Sequence, residues 1–154
     1  MMIKQEEFDF QGAIESIREQ HKFDFVGIAM TQSREHHELR WTFVTGNQSE
    51  RYRRIVLHSG KGIAGIVFKT GKPMLVENVE HTIPKEELFG YPIIVTEELK
   101  SFGAVPLLLD GRVKGVLLVG FRATNRLNSE KFSMFKQHVE MNLSPFHIRE
   151  VVEY

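Results

Sequence analysis

The sequence predicts an α+β fold: a central antiparallel sheet with the N- and C-terminal helices packed on one face. Three observations carry that expectation. Helical spacing is clearest at the two ends of the chain, and short strand-like runs fill most of the middle. Residues Phe102 to Phe121 also form a strong hairpin pattern, two apolar runs around Asp110-Gly111, a dipeptide suited to a type I′ turn. That hairpin fixes antiparallel pairing in the second half. At 154 residues, the chain fits a single domain, 1–154, which buries a core without disulfides or metal.

Phe10, Ala13, Ile14 and Ile17 recur at i, i+3, i+4 and i+7, so an amphipathic helix is expected over about Glu6 to Gln20. Phe23 to Met30 reads as a strand, Thr31 to Glu38 as a polar connection, and Arg40 to Thr45 as a second strand with Trp41 and Phe43 on one face. Gly46-Asn47 stops it. Ile55 to Leu57 is a short strand, followed by a short helix over Ile63 to Lys69 that needs a sheet to pack on. Thr70-Gly71-Lys72-Pro73 ends that helix, with Gly on its C-terminal side and Pro just beyond. Met74 to Glu77 is a further strand. From Asn78 to Thr96 the pattern is irregular, because Pro84 and Pro92 forbid a long helix, and a loop of that length is usually functional or mobile. Asn128-Ser129 caps a last helix carrying Phe132, Phe135 and Val139, which Pro145 kinks or restarts.

Composition removes whole classes of function. Lys plus Arg and Asp plus Glu number 20 each, so no basic face is set up for nucleic acid or an anionic membrane. Cysteine is absent, which excludes thiolate metal sites, Cys nucleophiles and thiol redox chemistry. No apolar run reaches the roughly 18 residues of a membrane span, and Met1 to Phe10 lacks the pattern of a signal peptide. A soluble cytoplasmic protein is expected. His36-His37 point apart, and His58, His81, His138 and His147 have no metal-type spacing. Glu86-Glu87 and Glu97-Glu98 read as solvated faces, and no Gly-x-Ser-x-Gly nucleophile elbow occurs.

The main candidate site is Gly60-Lys61-Gly62-Ile63-Ala64-Gly65. Its letters match the dinucleotide fingerprint, after a strand and before a helix. The helix is too short, however, and Glu77 follows after 12 residues, where a ribose-binding acid stands roughly 20 residues on. The hairpin further on is not a parallel continuation either. What survives is an anion-receptive helix start, whose first-turn N–H groups lie at the positive end of the dipole. The same glycines also serve a tight strand-to-helix turn. Trp41, the only tryptophan, is either a core residue or a pocket wall with an indole N–H to offer. Tyr91-Pro92-Ile93 is either a lid or a plug beneath the irregular segment.

The strings GKGIAGIVFKTGKPMLV at 60–76 and FGAVPLLLDGRVKGVLLVGF at 102–121 resemble the GAF domain family in content and separation. With the helical ends, the resemblance covers essentially the whole chain. It implies a six-stranded antiparallel sheet, with short helices and loops over a ligand pocket on the face opposite the terminal helices. It also implies a small-molecule receptor, commonly a dimer through terminal helices, for which Phe146, Val151 and Val152 are spare apolar positions. Bilin-binding and methionine sulfoxide reductase branches need Cys, and the cyclic-nucleotide signature is missing.

A stand-alone nitrate-receptor branch is more similar, through KQEEFDFQ, SIREQ, FDF, EHH, RW, RYRRIVL and YPI in order and spacing. That resemblance implies nitrate as ligand, no cofactor, and a partner sensor histidine kinase of a two-component nitrate/oxygen response system. It places nitrate against the backbone amides of Ile63 and Ala64, the Trp41 side chain, and Tyr91, Pro92 and Ile93. The branch has Leu where this chain has Ile63, a change that a backbone contact tolerates. Nitrate is flat, monovalent and weakly hydrated, so neutral N–H donors and a helix dipole, worth roughly 0.3–2 kcal/mol, suit it without a buried Arg. A GAF receptor for another small anion or metabolite is the alternative. An enzyme is the third reading, and no convergent acid, base or nucleophile supports it.

Overall fold

The computed structural model describes residues 8–31, 38–143 and 146. The expected helix start at Glu6, the pair His36-His37, Pro145, His147, Val151 and Val152 lie outside the described residues. Helix α1 (Phe10–His21) begins where the Asp9 carboxylate accepts from Gly12 N at 2.9 Å, and it ends on Lys22 in the left-handed conformation. Strands β1 (Phe25–Thr31), β2 (Glu38–Thr45) and β3 (Val56–His58) follow, with a single 3-10 turn, Arg51–Arg54, before β3. Helix α2 (Gly62–Thr70) stops on Gly71 at φ +68°, the expected glycine cap, and leads into β4 (Met74–Val76). The hairpin is β5 (Ser101–Leu109) and β6 (Arg112–Phe121), joined by Asp110 and Gly111 at φ +53° and +77°, both in the left-handed region that a type I′ turn requires. Helix α5 (Ser129–Asn142) is capped by Asn128, whose side chain accepts from Lys131 N at 2.9 Å.

All six strands join one antiparallel sheet in the order β3-β2-β1-β6-β5-β4. The long hairpin therefore lies beside β1, and the two shortest strands, β3 and β4, form the edges. Each face of the sheet has its own core. On one, α1 and α5 bury Phe10, Ile14, Phe132 and Phe135 against Val26, Ile28, Leu117 and Val119. On the other, α2 and the 79–97 segment cover Phe25, Ala29, Trp41, Phe102 and Leu118.

The structure corrects two expectations about local shape. Trp41 and Phe43 do not share a face. The register against β1 slips at this point, with Ile28 opposite Phe43 and Ala29 opposite Trp41, so Thr42 is an extra, exposed residue in a β-bulge. The bulge turns Trp41 into the core under α2, and sends Phe43 to the helical side, where it stacks on Phe10 at 5.2 Å between centroids. Nor is Asn78 to Thr96 an irregular loop. It folds as α3 (Val79–Thr82), a 3-10 turn (Lys85–Gly90) and α4 (Pro92–Glu97). The prolines that forbid a long helix each begin a short one: Pro84 precedes the 3-10 turn, and Pro92 takes the first position of α4, where its missing N–H costs nothing.

Candidate functional site

The turn into α2 shows why this stretch needs its glycines. Gly60 and Gly62 sit at φ +85° and +67°, and a Cβ on Gly65 would lie 2.2 Å from the His58 carbonyl oxygen. Gly60 and Gly62 thus serve the tight turn, and Gly65 lets the helix pack directly on β3. Regular helix starts after Gly62, which leaves Ile63 and Ala64 in the first turn. No side chain caps α2, and among the described residues no turn or loop hydrogen bond uses the amides of Ile63 or Ala64. Both residues are buried. These are N–H groups of the kind a helix start normally satisfies with a cap, water or a ligand.

Trp41 comes to the same core. It is 4% exposed, and its indole Nε1 is buried with no hydrogen-bond partner among the described residues. A buried donor left unpaired costs roughly 1–3 kcal/mol, so its persistence calls for an acceptor. Ile93 lies in this cluster too, with Tyr91 packed against it, and Pro92 is half-buried at the head of α4. The fold therefore gathers Trp41 from β2, Ile63 and Ala64 from α2, and Tyr91 and Ile93 from the α4 entry beside one apolar core. A Cβ on Gly62 would lie 3.6 Å from the Gly90 carbonyl oxygen, which places the α2 turn directly against the turn that delivers Tyr91. On the outside, an open depression of about 410 Å³ is lined by Gly60, Lys61, Gly62, Ile66, Glu86, Glu87, Gly90 and Tyr91.

Behind this wall stands a charged group that the sequence reading placed in solvent. Glu97, the last residue of α4, is 0% exposed, while Glu86, Glu87 and Glu98 are exposed as expected. Its Oε1 accepts from Arg122 Nη2 at 2.6 Å and from Gln48 N at 2.9 Å, and its Oε2 has no partner among the described residues. Burial pushes the Glu97 carboxyl above its usual range; the Gln48 amide and the Arg122 guanidinium offset part of that. No local pattern could have revealed this pair, because its members stand 25 residues apart on different elements. His138, which has no metal-type spacing in the sequence, meets His21 ring to ring at 5.0 Å between α1 and α5. Burial first, and the facing His138 second, hold His21 below its ordinary value.

The GAF domain family matches residues 10–139. This chain belongs to that family. A hypothetical protein from S. aureus has the same fold as this GAF domain, with 37% identity over 77% of this chain and 98% of that one, at a TM-score of 0.73. A Staphylococcus aureus NreA protein mutated in its nitrate binding site is likewise 37% identical, over 79% of this chain and 90% of its own, with a TM-score of 0.74. The free methionine-R-sulfoxide reductase of Neisseria meningitidis aligns over 85% of this GAF domain and 71% of its own chain at a TM-score of 0.67, but at 19% identity that likeness concerns the fold alone. No curated protein matches the chain.

Proposed function

We propose that this GAF domain is a nitrate receptor that acts in the cytoplasm and reports occupancy to a sensor histidine kinase of a two-component nitrate/oxygen response system. The observation that carries the ligand is the unpaired indole N–H of Trp41, buried in the same core as the uncapped start of α2. Such a site offers neutral donors and a dipole end, with apolar walls and no cation among the proposed ligand residues. A weakly hydrated planar monoanion sheds its water into it more cheaply than phosphate or sulfate would. The similarity to NreA, a protein with a nitrate binding site, narrows the anion to nitrate.

In this reading, the amides of Ile63 and Ala64 and the Trp41 indole donate to nitrate oxygens, while Tyr91, Pro92 and Ile93 close the apolar side. Occupancy orders the 78–96 segment and alters the surface offered to the kinase, because a ligand shifts whichever state it binds better. A second copy bound through the terminal helices completes the proposed assembly. A receptor is preferred to a reductase of the same fold, since the chain has no cysteine to carry the redox step.

A thermal-shift titration tests the ligand. Sodium nitrate raises the melting temperature in a saturable way, and sodium chloride at equal ionic strength does not. No difference between the two salts at millimolar concentration removes nitrate and leaves a GAF receptor for another small anion or metabolite. Co-purification with the cognate kinase, with and without nitrate, tests the partner.

A further inference from the structure

We propose that Glu97 and Arg122 are positioning residues that set the width of the ligand site, an inference that rests on the nitrate-pocket reading above. Arg122 follows the last residue of β6 and bridges two elements. Its Nε donates to the Glu97 carbonyl at 2.8 Å, and its Nη2 donates to Glu97 Oε1 at 2.6 Å and to the Gly46 carbonyl at 3.0 Å. Its own amide donates to Asp24 Oδ2 at 2.7 Å, which anchors the base of the fork to the start of β1. Gln48 N completes the clasp from the other side, at 2.9 Å from Glu97 Oε1.

The two elements joined are those that carry the side-chain walls of the site. Gly46 and Gln48 lie just past the end of β2, which bears Trp41. Glu97 closes α4, whose entry bears Tyr91, Pro92 and Ile93. Helix α4 has only six residues, roughly 9 Å of rise, so its far end cannot move without its near end following. A carboxylate at a helix C-terminus faces the negative end of the dipole, and here it is fully buried with one oxygen unpaired. On the cost of burying charge alone an apolar residue would serve as well or better. What the ionic pair supplies is a fixed distance, because the planar guanidinium meets the carbonyls of Asp24, Gly46 and Glu97 and the Glu97 carboxylate at once.

The decisive variant is the double substitution Glu97→Met with Arg122→Met, which removes the clasp without stranding either charge. A cooperative melting transition shows that it folds, at a temperature lowered by the Gln48 amide and the Gly46 and Glu97 carbonyls that lose their partners. Its nitrate affinity by calorimetry falls about tenfold through misplacement of the wall, and the amides of 91 and 93–96 exchange faster with solvent. Arg122→Lys keeps the charge but lacks the fork, so it is expected to weaken binding as well. A double variant that folds, binds nitrate as the parent does and protects 91–96 equally overturns the proposal. If the double variant does not fold, the Arg122→Lys protein decides, by the same two readouts. Exchange at 91–96 needs no ligand. A parent that ignores nitrate therefore refutes the pocket reading, and slowed or unchanged exchange in the double variant refutes the clasp.

Discussion

Replacing Trp41 by Phe separates the cost of an empty donor from the gain of a filled one. The indole is 4% exposed, so Phe forfeits nearly the full burial of two ring carbons, about 1.6 kcal/mol at ~0.8 kcal/mol per buried carbon. It also deletes the buried N–H that has no partner, which returns roughly 1–3 kcal/mol. The two nearly cancel, and without ligand the variant should melt within a few degrees of the parent, at about 2–4 °C per kcal/mol for a domain of this size. With ligand the balance changes. At nitrate a hundredfold above Kd the parent gains about 2.7 kcal/mol. Loss of one hydrogen bond to a charged acceptor, about 1.5–3 kcal/mol, raises Kd by an order of magnitude or more. The nitrate-dependent gain then falls to about half or less, since it varies as the logarithm of one plus the ratio of nitrate concentration to Kd. Differential scanning fluorimetry at matched nitrate and chloride reads both quantities. A Trp41→Phe protein with an undiminished nitrate shift would refute the assignment of the indole as a ligand. One that melts far below the parent without nitrate would refute the cancellation.

Gly65→Ala should destabilise the fold more than Gly62→Ala, because its Cβ meets the His58 carbonyl oxygen at 2.2 Å, whereas that of Gly62 meets the more yielding Leu57 side chain at 2.9 Å. Urea midpoints rank the two. Gly62→Ala still carries a cost of about 1–3 kcal/mol from its left-handed backbone, and it should weaken nitrate binding by shifting the first turn of α2. Stability should also respond to pH through His21, whose folded value lies below its ordinary 6.5. The unfolded chain then binds more protons, so His21's contribution is complete above pH 6.5 and is lost as the pH falls toward the folded value. Melting temperatures of the parent and of His21→Phe from pH 5 to 8 test this, with a shallower acid decline expected in the variant. Glu97 works in the opposite sense. Its folded value lies above its ordinary 4.5, so its contribution is complete below 4.5 and is lost as the pH rises through the folded value. Glu97→Gln should therefore deepen the acid decline relative to neutral pH.

Much of the fold is legible because local chemistry decides it. Asp110-Gly111 makes a hairpin wherever it stands between two apolar runs, and Asn128 caps a helix through its own side chain. Gly71 ends α2 because no other residue enters the left-handed region so freely. The candidate site was legible in its residues and less so in its construction. Trp41, Ile63, Ala64 and Ile93 do share one core, with Tyr91 against it. Yet the strand alternation that put Trp41 beside Phe43 assumed an unbroken register, and a bulge at Thr42 follows from the fit between strands, to which a single strand's pattern is blind. Glu97-Glu98 looked like a solvated pair for a similar reason. Burial of the first depends on an arginine that arrives 25 residues later.

The sequence by itself determined the antiparallel α+β fold, the places of most of its helices and strands, and the glycine-rich entry to α2. These rest on periodicity, caps and turns, interactions that span a few residues. Tertiary structure alone decided which face Trp41 occupies, that its indole N–H is buried without a partner, and that Glu97 and Arg122 join the ends of β2 and α4. Those facts arise from contacts between segments distant along the chain, where the outcome depends on which groups are shielded from water together.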